Sequence, residues 1–131
     1  MKILSIALAH DSSACMVEDG KLVGFYKEER LSRKKRDHLG RRAALALVRK
    51  IGKPDKLVLT CPHSLEDLNA KTRLLNEYGK HLGVTESDLF IFDQQHHLMH
   101  AAAAYYSSGF SDDLCVVVDR EGRYLYDADG V

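Results

Sequence analysis

The sequence predicts an α/β fold, because short apolar runs alternate with longer helix-like segments and glycine or proline punctuates the joints. Three observations carry that reading. Ile3 to Leu8 is an apolar run of strand length, suited to the middle of a sheet. Ala14 to Glu18 and Leu22 to Tyr26 flank Asp19-Gly20, a tight-turn dipeptide, since glycine accepts the positive φ that such turns need. Arg41 to Ile51 is rich in Ala and Leu and is closed by Gly52 and Pro54, a helix with its stop signals.

The other elements follow in order. Lys27 to Arg42 is a basic stretch that reads as a cationic loop. Leu57 to Thr60 is a strand. Ser64 with Asp67 resembles a capping box, opening a helix from about Leu65 to Leu82 that Gly83 ends. Leu89 to Phe92 is a strand, and a helix from about Gln95 to Ser107 precedes Gly109. Leu114 to Val118 and Arg123 to Tyr126 form a last pair of strands around Glu121-Gly122. The order βββ-α-β-α-β-α then ββ matches the ribonuclease-H-like unit, which is doubled in the actin, Hsp70 and sugar-kinase superfamily. Residues 1–110 are therefore expected to be subdomain I, and 111–131 the opening hairpin of a truncated subdomain II. A lone hairpin is marginal in water. It is expected to pack on the first unit, or to pair with a second copy in a homodimer.

Composition narrows the function classes. Nineteen basic and nineteen acidic residues give a net charge of zero, so no global field favours nucleic acid or an anionic membrane. The three cysteines, Cys15, Cys61 and Cys115, are odd in number and widely spaced, which suggests reduced thiols in a cytoplasmic protein. The apolar N-terminus reaches His10-Asp11 too soon for a signal peptide or a membrane span.

Three segments carry chemistry. In Gln95-His96-His97-Leu98-Met99-His100, His96 and His100 are four residues apart and share one helical face, where two imidazoles can hold one metal ion. The alternative is a polar helix start with surface histidines. Asp119 ends an apolar strand, where open α/β sheets place ligand groups, and would complete a His, His, Asp face suited to iron, zinc or manganese. A turn aspartate is its alternative. His10-Asp11-Ser12-Ser13 joins the first two strands and offers an imidazole base, a carboxylate and two hydroxyls to a phosphate or a reacting hydroxyl; otherwise it is a polar connection. Arg33 and Lys35 lie in the cationic stretch, which reads as an oxyanion receiver, a solvated face or a nucleic-acid patch.

Together these blocks resemble the N-terminal domain of the O-carbamoyltransferases of nodulation-factor and antibiotic tailoring. The matching residues are His10-Asp11-Ser12-Ser13-Ala14, Asp19-Gly20, Glu28-Glu29-Arg30-Leu31-Ser32-Arg33-Lys34-Lys35, His96-His97-Leu98-Met99-His100-Ala101, Ser108-Gly109-Phe110 and Asp119, in family order. The domain is also similar to the one that transfers threonylcarbamoyl to tRNA, which shares the His-x-x-x-His motif. The resemblance implies a carbamoyl group passed from carbamoyl phosphate, with ATP, through a carbamoyl-adenylate to a hydroxyl acceptor. It implies a divalent metal, iron or zinc, on His96, His100 and Asp119, with a further ligand downstream. It places His10 near the acceptor hydroxyl and Lys35 near the carbamoyl group as catalytic residues. Asp11, Ser12, Ser13 and Arg33 would contact nucleotide or substrate. Leu31, Arg36 and Arg120 stand where the family usually has Phe, His and Gly. The chain is thus expected to be an N-terminal fragment, inactive alone. A stand-alone metal- or nucleotide-binding regulatory module is the alternative. A ribonuclease-H-like nuclease using Asp11 and Asp119 fits less well, because such sites cluster carboxylates and this chain offers histidines.

Overall fold

The computed structural model describes residues 1–8, 11–61, 75–93 and 95–118. The chain divides into two compact units, Met1–Asp93 and Gln94–Val131.

The first unit is α/β. Its mixed five-stranded sheet comprises β1 (Lys2–Ala7), β2 (Ser13–Glu18), β3 (Lys21–Lys27), β4 (Lys56–Cys61) and β5 (Leu89–Asp93), in the spatial order β3-β2-β1-β4-β5. β2 runs antiparallel to both β1 and β3, while β1, β4 and β5 are parallel. The expected turn closes the first hairpin, with φ of 48° at Asp19 and 80° at Gly20. The β2–β3 register slips between Met16 and Val17, leaving Val23 as the extra residue of a bulge.

Alternation decides which face is buried. Leu4 and Ile6 of β1, Ala14 and Met16 of β2, Leu57 and Leu59 of β4 and Leu89 of β5 point to one face and are buried. Against them pack Ala43, Ala44 and Leu47 of α2 (Arg41–Ile51), together with Tyr78 and Leu82. The crossing of α2 over the sheet edge is close. A Cβ on Gly24 would lie 2.5 Å from Leu47 Cδ2 and 2.9 Å from Ile51 Cδ1, so a larger residue there would push these two side chains aside. On the other face Phe25 and Phe90, at the two sheet edges, remain exposed.

The far end of α2 is tied to the sheet. Lys2 Nζ donates to the Ile51 carbonyl at 3.0 Å, and the Asp55 N–H donates to the Lys2 carbonyl at 2.8 Å. Most sequence-expected elements are present within a residue or two. The long helix expected from Leu65 lies outside the described residues as far as 74. Its end is a π-helical turn at Leu75–Gly79 running into α3 (Lys80–Leu82), with Gly83 left-handed at φ 72° as expected of its stop. The cationic stretch, read as a loop, opens with a short helix α1 (Glu28–Ser32).

The second unit contains α4 (His96–Ser108), stopped by Gly109 at φ 77°. The Tyr105 hydroxyl donates to the Ser111 carbonyl at 3.0 Å, and Cys115 Sγ lies 3.5 Å from the Ala101 carbonyl. The expected strand at Leu114 to Val118 is corrected here, since these residues form no strand. A β-branched apolar run gives strand propensity, but a strand exists only through ladder partners. Its expected partner, Arg123 to Tyr126, lies outside the described residues, as does the capping box of Ser64 and Asp67. Cys15, Cys61 and Cys115 are free thiols. Among the described residues no helix is long and apolar enough to cross a membrane.

This packing makes a paired expectation. Leu47→Ala, at a fully buried position, should cost about 2–5 kcal/mol in urea denaturation. Leu45→Ala, two residues away but 38% exposed, should cost less than about 1 kcal/mol. Equal losses would show that α2 does not present this face to the sheet.

Candidate functional site

Helix α2 begins badly by local rules. Gly40 occupies its N-cap position, and Arg41 and Arg42 fill the first turn, where the helix dipole disfavours cations. The missing cap comes from far upstream. The Glu28 carboxylate, 2% exposed, accepts the Arg42 N–H at 3.0 Å and the Ala43 N–H at 2.8 Å. Arg41 pairs with Glu77 and lies 6.0 Å from the centre of the Tyr78 ring. The Tyr78 hydroxyl donates to the Leu39 carbonyl at 2.5 Å, and burial pushes its pKa up to about 12.

The same elements grip the loop between β1 and β2. Ser12 is 1% exposed; its N–H at 3.0 Å and its hydroxyl at 2.8 Å both donate to the Asp37 carbonyl. The Ser12 carbonyl in turn accepts the Glu28 N–H at 2.9 Å. Gly40, at φ 65°, closes the knot; a Cβ there would come 2.5 Å from Ile6 Cγ2. The Asp37 carboxylate accepts the Leu39 N–H at 3.2 Å. That bond, helped by the Ser32 hydroxyl and by Lys34 and His38, holds Asp37 below the usual carboxylate range against the opposing effect of desolvation.

Between the pins of Glu28 and Asp37 the chain is exposed and cationic. Arg33 caps α1 in the left-handed region at φ 60°, its N–H donating to the Glu29 carbonyl at 3.0 Å. Lys34 N–H reaches Ser32 Oγ at 3.2 Å, Lys35 sits in the following turn, and Arg36 is again left-handed at φ 54°. Asp11 is left-handed too, at φ 63°. Of the four described non-glycine residues with positive φ, three therefore lie in the two segments singled out by sequence, and the fourth is the hairpin residue Asp19. Such backbone positions gather where a site is held in shape.

The structure thus brings the segment of Asp11, Ser12 and Ser13 beside the segment of Arg33 and Lys35. Ser12 itself is a buried staple, and Ser13 opens β2, half-buried and in register with Ala7 and Lys27. His10 and Asp119 lie outside the described residues, as does the His96 side chain. The backbone does set His96 and His100 one turn apart on α4, the register that a two-imidazole ligand pair requires, with His100 exposed. Among the described residues no three His, Cys, Asp or Glu side chains gather to hold a metal ion. A groove of about 260 Å³ lies elsewhere, lined by Arg41, Ala44, Leu45, Glu77, Tyr78, His81 and Leu82, and includes none of the sequence-expected site residues.

Glu28, Asp37 and Gly40 were not legible as site-forming residues, yet one signal was available. A helix that starts with Gly-Arg-Arg, with no Ser, Thr, Asp or Asn to cap it, calls for an acid from elsewhere.

No protein-family model matches the chain. The chain is similar to nodulation protein NolNO of Sinorhizobium fredii (strain NBRC 101917 / NGR234), at 26% identity over 136 residues, covering 88% of this chain and 20% of that protein. The relationship is distant, and the chain spans about a fifth of the length of that curated relative.

The lowered pKa of Asp37, that of Asp88, which Thr85 and Lys56 lower, and that of Asp19, which the N-terminal ammonium lowers, contribute to the acid response. A carboxylate whose folded value is depressed adds stability above its unfolded value, about 3.9, and loses it as pH falls through the folded value. Urea midpoints should therefore drop steeply below about pH 4. Asp37→Asn should be less stable at neutral pH and show a shallower acid limb. An unchanged limb would remove Asp37 from this account.

Proposed function

We propose that this chain supplies the oxyanion-receiving part of a carbamoyl-transfer site. The observation that carries the reading is the Ser12–Asp37 staple, which joins the Asp11–Ser13 segment to the cationic segment that holds Arg33 and Lys35. Two motif blocks more than twenty residues apart in the chain serve one site only if they are neighbours, and the staple makes them so. The distant likeness to NolNO points the same way. The sheet order, with its antiparallel second strand, supports a ribonuclease-H-like first subdomain.

In this reading Arg33 and Lys35 receive the phosphate oxygens of carbamoyl phosphate or of ATP, because a guanidinium and an ammonium on a pinned loop match that charge. Asp11, Ser12 and Ser13 shape the neighbouring wall. His10 takes the proton of the acceptor hydroxyl as its oxygen bonds to the carbamoyl carbon; the bond from that carbon to the phosphate oxygen of the adenylate breaks, and AMP leaves. His96, His100 and Asp119 would hold a divalent ion, iron or zinc, which polarises a phosphate or carbonyl oxygen when bound. Full transfer needs donor, nucleotide and acceptor held in one near-attack arrangement, which we assign to a longer transferase of which this chain is the N-terminal part.

Calorimetric titration with carbamoyl phosphate at low salt tests the reading. The chain should bind it weakly and salt-sensitively, and Lys35→Ala and Arg33→Ala should each weaken binding by about three- to tenfold. Affinity indifferent to both substitutions would contradict the assignment. The chain by itself should release no phosphate steadily from carbamoyl phosphate and ATP; steady turnover would overturn the division of labour.

A further inference from the structure

We infer that Glu28, acting with Ser12, is the positioning residue of the cationic loop. It sets the frame from which Arg33 and Lys35 meet a phosphate-bearing anion, an inference that rests on the reading just given.

A merely structural cap would not be built this way. A local Ser, Thr, Asp or Asn at the N-cap secures a helix start by accepting one of its first free N–H groups. Here the cap position is Gly40, and the acceptor is a carboxylate 14 and 15 residues upstream of the N–H groups it binds. Carrying that carboxylate out of water is costly, and good hydrogen bonds must offset it. The remote cap adds geometry. It fixes the end of β3 and the start of α1 against the start of α2, so the intervening loop has set endpoints. Ser12 adds a third fixed point by holding the Asp37 carbonyl, while its own carbonyl holds the Glu28 N–H.

The loop needs such pins. Arg30, Arg33, Lys34, Lys35, Arg36 and His38 crowd one short exposed segment that contains only Glu29 and Asp37 as acids. Like charges push such a loop outward. Left-handed turns at Arg33 and Arg36 are unfavourable for residues bearing a Cβ. The frame holds the loop against both effects. None of its contacts uses the Arg33 or Lys35 side-chain nitrogens, so these groups are displayed while the backbone beneath them is fixed.

Three variants and two readouts test this: amide relaxation of residues 33–36 by NMR, and titration of the whole chain with carbamoyl phosphate, with inorganic phosphate as comparator. Glu28→Gln keeps the volume but loses the charge and one acceptor. Ser12→Ala removes the hydroxyl bond and keeps the N–H bond. Leu47→Val destabilises the core away from the loop. The expected result is greater fast motion at residues 33–36 in Glu28→Gln, with helical shifts retained in α2 and carbamoyl phosphate bound about tenfold more weakly. Ser12→Ala should show a smaller loss in the same direction. Leu47→Val should lower the melting temperature and leave loop motion and affinity unchanged. Wild-type loop motion and affinity in Glu28→Gln would overturn the proposal, and so would an affinity loss in Leu47→Val equal to that of Glu28→Gln. Should Glu28→Gln unfold, Ser12→Ala decides by the same readouts. If the wild-type chain binds no carbamoyl phosphate while Glu28→Gln still loosens the loop, the positioning stands and the functional reading falls.

Discussion

A carboxylate almost without access to water organises the first unit of this protein. Glu28 ends the run of three strands and caps a helix that carries no cap of its own. Charge-assisted bonds from two backbone N–H groups, and the positive end of the α2 dipole, stabilise the buried charge. In return the helix start is fixed beside the end of β3. The same helix then crosses the sheet at Gly24, where Leu47 and Ile51 come close to the strand backbone, and buries Leu47 on Leu4, Ile6 and their neighbours. The position of α2 is therefore set at its start by one carboxylate, in its middle by sterics, and at its end by Lys2.

That arrangement has a consequence for chemistry. The contacts through the Ser12 hydroxyl and the Glu28 carboxylate at the Ala43 N–H lie beneath the surface. The charged side chains of the loop stand above them, exposed. A rigid backbone under displayed cations is what an oxyanion receiver requires, because a preorganised site loses little entropy on binding. The proximity of the Asp11–Ser13 segment to this loop arises from folding, since Ser12 and Asp37 are far apart in the chain.

Much of this was legible in the sequence, and what was not has physical causes. Strands announced themselves by apolar runs and the first hairpin by Asp19-Gly20; α2 and α4 ended at Gly52 and Gly109 as their composition required. The cationic stretch misled, because a dense run of charge reads as loop and hides the short helix α1. Glu28 looked like one more charge in that run, and its burial depends on α2 folding back over it, a long-range event without local pattern. Ser12 was read as a group for a ligand, and the structure shows its hydroxyl engaged with the Asp37 carbonyl. Leu114 to Val118 are not in a strand, and their expected partner, Arg123 to Tyr126, lies outside the described residues. Of the expected ligand set, the helical register of His96 and His100 is present, while Asp119 falls outside the described residues, as does His10, the expected catalytic base.

Native-state hydrogen exchange tests the central claim most directly. If Glu28 and Ser12 tie the strands, the cationic loop and α2 into one unit, the amides of Ser12, Glu28, Arg42 and Ala43 should exchange only on global unfolding, as slowly as those of Leu4 and Leu57 in the sheet. Fast, local exchange at Arg42 and Ala43 alongside protected sheet amides would contradict it, showing an α2 start that frays freely and a carboxylate that caps nothing.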